Sequence, residues 1–329
     1  MSYLGRRLAR ALLLLIGVSA LCFWFTQMAP GTFFDEMRLN PQISPQTIRA
    51  LRSQYGWDQP LLVRYERWVR SALHADFGYS IAYNLPVAPL LWSRAKNTLL
   101  LTTVALFLTW LTSVPLGVWT ASRRGSLLDR AVGLLSSLLN SVPELVIAVS
   151  LLAIAVRWRL LPVGGMMSPD SESLTPWARF SDLTLHLVLP LLILVLSETA
   201  VIVRHVRASV LEILGAPYVE AARGLGIKPA RLLFRHVLPA AANPAISLLG
   251  FSVAGLLSGS LMVEVVCGWP GLGPLLVEAT LSRDYSLVIG GIMLSALFMI
   301  GGNLLADILL LAWDPRIRKE GSDGASLAN

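Results

Sequence analysis

Apolar runs long enough to cross a lipid bilayer recur along this chain, at roughly 9–29, 98–121, 131–156, 184–205, 244–266 and 287–313. A transmembrane helix needs about 20 apolar residues, and inside the hydrocarbon every backbone N–H and C=O must be paired within the protein. Six such runs restrict the fold to an all-α polytopic membrane protein with about six transmembrane helices. Composition agrees, with 55% hydrophobic and 14% charged residues, against about 25% charged in soluble domains. Arg6, Arg7 and Arg10 precede the first run. That run exceeds the ~7–15 apolar residues of a secretory signal and no clear A-x-A site follows, so it is expected to be a retained span.

The net charge of +7 does not call for nucleic acid, because the basic residues cluster on alternate connections. Arg123, Arg124 and Arg130 lie between the second and third runs, opposed by Asp129. Arg207, Arg223, Lys228, Arg231 and Arg235 lie between the fourth and fifth, and Arg316, Arg318 and Lys319 in the tail. An excess of Lys and Arg marks the cytoplasmic side. Both termini and the loop 206–243 are therefore expected in the cytoplasm. Residues 1–29 then form a cytoplasmic N-terminus and first span, 30–97 an extracytoplasmic module, 98–313 a core of five spans, and 314–329 a cytoplasmic tail. Within the module, Ala29-Pro30-Gly31 and Asn40-Pro41 read as turns, and a helix is expected from Ser44 with Pro45 as its first residue. A second amphipathic helix is expected over 61–73.

The loop 206–243 contains YVEAARGLGIKPARLLFRHVLP, Tyr218 to Pro239. Pro217 suits the first position of a helix, Glu220 falls in its first turn, and Gly226 is a natural stop. A helix of about nine residues is too short to stand alone in water and must pack against something. Ala221, Ala222 and Gly224 are small enough to admit a close partner surface. A second helix is expected to restart at Pro229, with Arg231 and Arg235 on one side. Lys228, Arg231 and Arg235 serve either a partner or the lipid headgroups.

Ionisable and polar residues inside spans are costly and mark function by default. Glu198 lies within the fourth run, where it either lines a pathway or is hydrogen-bonded to another helix. Glu144 follows Asn140 and Pro143 in the third run, with Pro143 expected to kink it. Asn303 and Asp307 share a face of the sixth run, as pathway groups or as an interhelical hydrogen-bonding pair. Glu264 precedes Gly268-Trp269-Pro270-Gly271, a turn expected outside the membrane as a gate, a contact for another protein, or a loop anchored by Trp269. Small residues recur four apart at Gly250, Ala254 and Ser258, at Gly255 and Gly259, and at Gly291 and Ser295, which lets helix backbones approach closely. His74, His186, His205 and His236 lack metal-ligand spacing, Cys22 and Cys267 form no CxxC pair, and no GxSxG, HExxH or GxxxxGK[ST] motif occurs.

Glu220-Ala221-Ala222, followed by Gly226 and by Val237-Leu238-Pro239, resembles the EAA loop of ABC importer permeases. The start RRLARALLLLIGVSALCFWFTQMAPG, the segments ISPQTIRALRSQYGWDQPLLVRYERWV and DFGYSI, and the later GWPGLG, RDYSLVIGG and NLLADILLLAWDPRIR resemble the first, B-type subunit of the peptide/nickel permease family. The resemblance covers nearly the whole chain. It departs at Gly31-Thr32-Phe33, where the family commonly has Gly-Asp-Pro, and at Glu144 and Glu198, where apolar or small residues are frequent. The resemblance implies a type I ABC importer permease fold in a bacterial inner membrane. Tyr218, Glu220, Ala221, Ala222, Arg223, Gly224 and Gly226 would be the ATPase-coupling residues. It also implies a second homologous permease, two ABC ATPases that bind the ATP and Mg for which this chain has no motif, and an extracytoplasmic substrate-binding protein. The solutes carried by such permeases include peptides, nickel complexes, glutathione and peptide antibiotics. A secondary transporter or channel working without ATPases is the rival reading; no internal repeat of the kind common in secondary transporters is evident.

Overall fold

The computed structural model describes residues 3–28, 31, 33–39, 41–54 and 56–313. The turns expected at Ala29-Pro30-Gly31 and Asn40-Pro41, and the tail 314–329, fall wholly or partly outside these. The chain begins with α1 (Tyr3–Met28), α2 (Phe33–Leu39), α3 (Pro45–Gln54) and α4 (Leu61–Ala72). A small hairpin of β1 (Tyr79–Ser80) and β2 (Leu85–Pro86) leads directly into α5 (Val87–Ser122). The helices α6 (Leu127–Ser141), α7 (Glu144–Trp158), α8 (Pro176–Leu214) and α9 (Pro217–Gly224) follow. The remainder is α10 (Pro229–Leu232), a π turn over Leu233–Val237, α11 (Leu238–Val266), α12 (Leu272–Leu281) and α13 (Tyr285–Trp313).

Five helical stretches are long and apolar enough to cross a membrane: Gly5–Thr26, Val87–Ser122, Pro176–Leu214, Pro229–Val266 and Tyr285–Ala312. The chain is thus a multi-pass membrane protein. The third expected run is not one rod. It divides into α6 and α7, bent by 101°. Val142 is extended at φ −98°, ψ 126°, the conformation forced on a residue before proline. Pro143 in turn offers no N–H to continue the α6 ladder. Each half, at 15 residues, is about 22 Å long and shorter than the ~30 Å hydrocarbon layer. The sequence suggested a kink at Pro143, and the structure makes it a break.

The expected loop 206–243 is also shorter than its polar residues suggest. With 39 residues, α8 runs on to Leu214. Its Thr175 cap accepts the Ala178 N–H at 3.4 Å and Pro176 occupies its first turn. On the other side, Pro229–Val266 is one continuous apolar helix of 38 residues, not a separate short helix followed by a span. Its wide turn at Leu233–Val237 sits just before Pro239, which supplies no N–H for the Arg235 carbonyl and crowds it. Only residues 215–228 separate the two long helices.

Two compact units divide the chain, residues 3–97 with 270–298, and residues 98–269 with the remainder from 299. In the first, Phe23 of α1 packs with Ile289 and Met293 of α13 and against Tyr65 and Trp68 of α4. The Phe23–Tyr65 rings meet edge to face at 5.2 Å. Ser44 caps α3 by accepting the Thr47 N–H at 3.1 Å. Asp284 ties down the hairpin, accepting from Ser80 Oγ at 2.6 Å and from the Ala82 N–H at 3.1 Å.

The second unit is built around α8. One core cluster joins Leu101 and Ala105 of α5, Ala148 and Ala155 of α7, Leu189, Ile193 and Leu194 of α8, and Leu256, Val263 and Trp269. A second joins Ile202, Val206 and Val210 of α8 to Val219 of α9, and to Leu232, Val237 and Ala241. Gly117 admits α8 so closely that a Cβ there would lie 2.8 Å from Val206.

Candidate functional site

The short helix α9 is joined to its long neighbours by two residues on one side and four on the other. It is anchored through one buried side chain, Val219, which sits in the second core cluster with Val210 and Leu232. Tyr218, Glu220, Ala221, Arg223 and Gly224 face outward and Ala222 is half-buried; Tyr218 is 50% exposed and Leu225 83%. Nothing lies within 4 Å of a Cβ placed on Gly224, so this side of the helix is open. Gly226 also has free space but a φ of +78°. There the requirement is conformational: the left-handed residue reverses the chain so that Ile227 N–H can bond to the Ala222 carbonyl at 3.3 Å. Proline at 217, Glu220 in the first turn and glycine at 226 together account for a one-knob element held between two spans.

Two carboxylates from different helices meet one face of α11. Glu144 is the first residue of α7, placed by the break at Pro143, and Glu198 lies inside α8. The Glu144 oxygens lie 2.6 and 2.8 Å from where a Cβ on Gly259 would be. Those of Glu198 fill the corresponding place at Gly255. Gly255 and Gly259 are one helical turn apart and share a face. The glycine pair thus makes room for carboxylates and not only for helix backbones. Neither glutamate has an ion pair or a side-chain hydrogen bond among the described residues. Asn303 uses the same device on another face of α11, its Oδ1 lying 2.6 Å from a Cβ position on Gly250. Asp307, one turn further along α13, is half-buried.

Asn140 is exposed near the end of α6. It lines an open cavity of about 810 Å³ between α6 and α8, with Arg130, Ser137, Arg204 and His205. The same cavity is lined by a pair that the sequence reading missed. Arg207, counted there as a loop charge, belongs to α8 and grips Asp129 of α6 with both nitrogens, Nε at 2.6 Å and Nη2 at 2.9 Å. Gly125 N–H donates to the same carboxylate at 2.9 Å, and Ser126 Oγ accepts the Asp129 N–H at 3.2 Å. The available signal was Ser126-x-x-Asp129, a capping pattern, although nothing local pointed to Arg207.

The turn after α11 buries its large side chains. Glu264 and Trp269 are fully buried, Trp269 within the core of its unit, so neither side chain is presented to another protein. Trp269 N–H bonds to the Glu264 carbonyl at 2.8 Å, and Gly268, at φ +61°, accepts from the Gly165 N–H at 3.2 Å. Pro270 is half-buried and its carbonyl accepts from Asn97 Nδ2 at 2.8 Å; Gly271 is buried. Among the described residues no three His, Cys, Asp or Glu come together as metal ligands.

The chain is thus a multi-pass helical membrane protein with a short exposed helix between its late spans. The chain belongs to the family of binding-protein-dependent transport system inner membrane components, whose model matches residues 113–319. It is 34% identical to the oligopeptide transport system permease protein AppB of Bacillus subtilis (strain 168), over 96% of this chain and 99% of that protein. It is 33% identical to the dipeptide transport system permease protein DppB of Escherichia coli (strain K12), over 97% and 99%. In fold it is similar to a chain of the MetNI methionine ABC transporter in an inward facing conformation. That match has a TM-score of 0.55 at 20% identity and covers 68% of this chain and 96% of that one.

Proposed function

We propose that the chain is one transmembrane half of an ATP-driven importer of peptides or similar small solutes in a bacterial inner membrane. The relatives named for oligopeptide and dipeptide transport support that solute class. A second, homologous permease completes the pathway. An extracytoplasmic binding protein delivers the solute, and two ABC ATPases bind ATP and Mg and dock on α9. Both termini and α9 face the cytoplasm and residues 30–97 the opposite side, as the distribution of Arg and Lys favours.

One observation carries this reading: α9 is open on its outward side, anchored by Val219, and spliced to α8 and α10 by short joints. Force applied to it passes to two spans with little slack. The pathway is formed by Asn140, Glu144, Glu198, Asn303 and Asp307. The two glutamates offer a solute's ammonium group carboxylates that no cation among the described residues pairs with.

The test is uptake and ATP hydrolysis by the whole transporter in proteoliposomes. Glu220→Arg and Gly226→Trp are expected to lower uptake at least about tenfold, with hydrolysis no longer tied to transport. Gly226→Ala adds a methyl group that meets nothing within 4 Å but must hold φ +78°, at about 1–2 kcal/mol, and should give a smaller loss. Normal uptake and ATPase docking in Gly226→Trp would refute the coupling role.

A further inference from the structure

In the first unit, α1, α4, the hairpin and the start of α13 enclose a cavity of about 180 Å³ that no part of the transport reading uses. Phe23, Trp57, Trp68 and Tyr285 give it aromatic walls, and Arg64 and Arg67 reach it from α4. Among the described residues no carboxylate lines it. Arg64 is half-buried, lies 3.9 Å from the centre of the Trp57 ring, and forms no ion pair among the described residues. Burial and the nearby charge of Arg52 both push its guanidinium below the ordinary value. The carboxylate of Asp58 is already bound to Arg52 at 3.0 Å, and Arg67 donates only to the neutral Gln59 Oε1, at 2.6 Å. Trp68 Nε1 is buried with no acceptor.

These groups share one deficit. A half-buried guanidinium beside a second cation, with no counter-ion, is electrostatically uncompensated, and a buried indole N–H without an acceptor has lost its water for nothing. An anion with several acceptor oxygens answers both, and the planar fork of arginine matches phosphate in particular. The position narrows the source. Phe23 lies in the last two turns of α1, and Trp24 and Phe25 are exposed there, at 54% and 60%. Aromatic residues gather at the membrane–water boundary, the level at which lipid phosphates are most concentrated. We propose that this cavity is a phosphate site, filled by the headgroup of an anionic phospholipid or by free phosphate, with Arg64 and Arg67 as its cations and Trp68 as a further donor.

The test uses the full chain, stripped of lipid in a neutral detergent and titrated with phosphatidylglycerol, phosphatidylcholine or inorganic phosphate. Native mass spectrometry counts what stays bound. The wild-type chain is expected to fill one site with phosphatidylglycerol at about tenfold lower concentration than with phosphatidylcholine. Arg64→Gln and the surface variant Arg67→Gln should lose that preference, whereas Arg49→Gln, outside the cavity, should keep it. Displacement of the lipid by excess inorganic phosphate would identify phosphate alone as a sufficient ligand; retention would assign the site to the lipid. Phosphatidylglycerol binding in both Arg64→Gln and Arg67→Gln at the wild-type concentration overturns the proposal, as does equal binding of the two lipids by the wild-type chain.

Discussion

Asp129 and the pair Glu144 and Glu198 belong to the same unit and to the same run of helices, yet the chain treats their carboxyl groups in opposite ways. The Asp129 carboxylate receives both prongs of Arg207 and a backbone N–H from Gly125. The glutamates receive space, carved into α11 by Gly255 and Gly259, and no cation among the described residues. A carboxylate saturated with donors fixes two helices against each other. One that is housed without a cation among the described residues ties no helices together by charge. The first arrangement reads as architecture; the second is the arrangement on which the pathway proposal rests.

The largest effect should come from breaking the saturated pair. Arg207→Ala leaves the Asp129 carboxylate, which lines the open cavity between α6 and α8, without its two charge-assisted hydrogen bonds, at a cost of about 1–3 kcal/mol. Thermal unfolding in detergent should show a marked drop in midpoint. Asp129→Asn with Arg207→Gln, which removes both charges, should recover part of it, and a double variant as unstable as Arg207→Ala would mean that the charge pair is not what holds α6 to α8.

Next in size is an effect on transport without one on stability. Glu198→Gln removes charge but no ion pair, so unfolding should move by less than about 1 kcal/mol, while uptake of solutes bearing a free ammonium group falls about tenfold in the assembled transporter. Gly255→Ala reaches the same end from the other side of the contact. Its methyl group would displace the Glu198 carboxylate, the mobile end of a flexible side chain, so the fold should tolerate it. Full uptake in both variants would return Glu198 to a packing role.

The contrast also separates what the sequence discloses from what it hides. The helices α3, α4 and α9 were legible because each is written locally, by Ser44 and Pro45, by the amphipathic stretch from Leu61, and by Pro217 with Gly226. Proline at 143 announced a disturbance, but its extent of 101° depends on what α6 and α7 pack against. Polar residues at 206–243 suggested a loop, because a helix that outruns the hydrocarbon layer carries an ordinary polar sequence at its end. The partner of Asp129 is 78 positions away, and the niches of Glu144 and Glu198 pair residues with glycines on another helix. No spacing rule connects such positions. The burial of Trp269 was hidden for a related reason, since a tryptophan in a Gly/Pro turn reads as an interfacial anchor until the core around it is known.

The smallest effect concerns a third way of accommodating a carboxylate, outside the spans. Glu278 of α12 accepts a hydrogen bond from the phenol of Tyr83, in the hairpin loop. Burial first, and then this bond and the negative charge of Glu278, push the Tyr83 hydroxyl up to about 12, from about 10 for a free tyrosine. The raised value means that the folded chain holds its proton where the unfolded chain has released it. The contribution is therefore fully present below about pH 10 and is lost as pH rises toward 12. Because the pair is largely open to solvent, its share of the stability should be small. Wild-type protein is expected to lose more unfolding temperature between pH 10 and 12 than Tyr83→Phe, with the two curves parallel below pH 9. Parallel curves throughout would show that this clasp contributes nothing. Asp284, which accepts from Ser80 and Ala82, would then be the group that holds the hairpin in its unit.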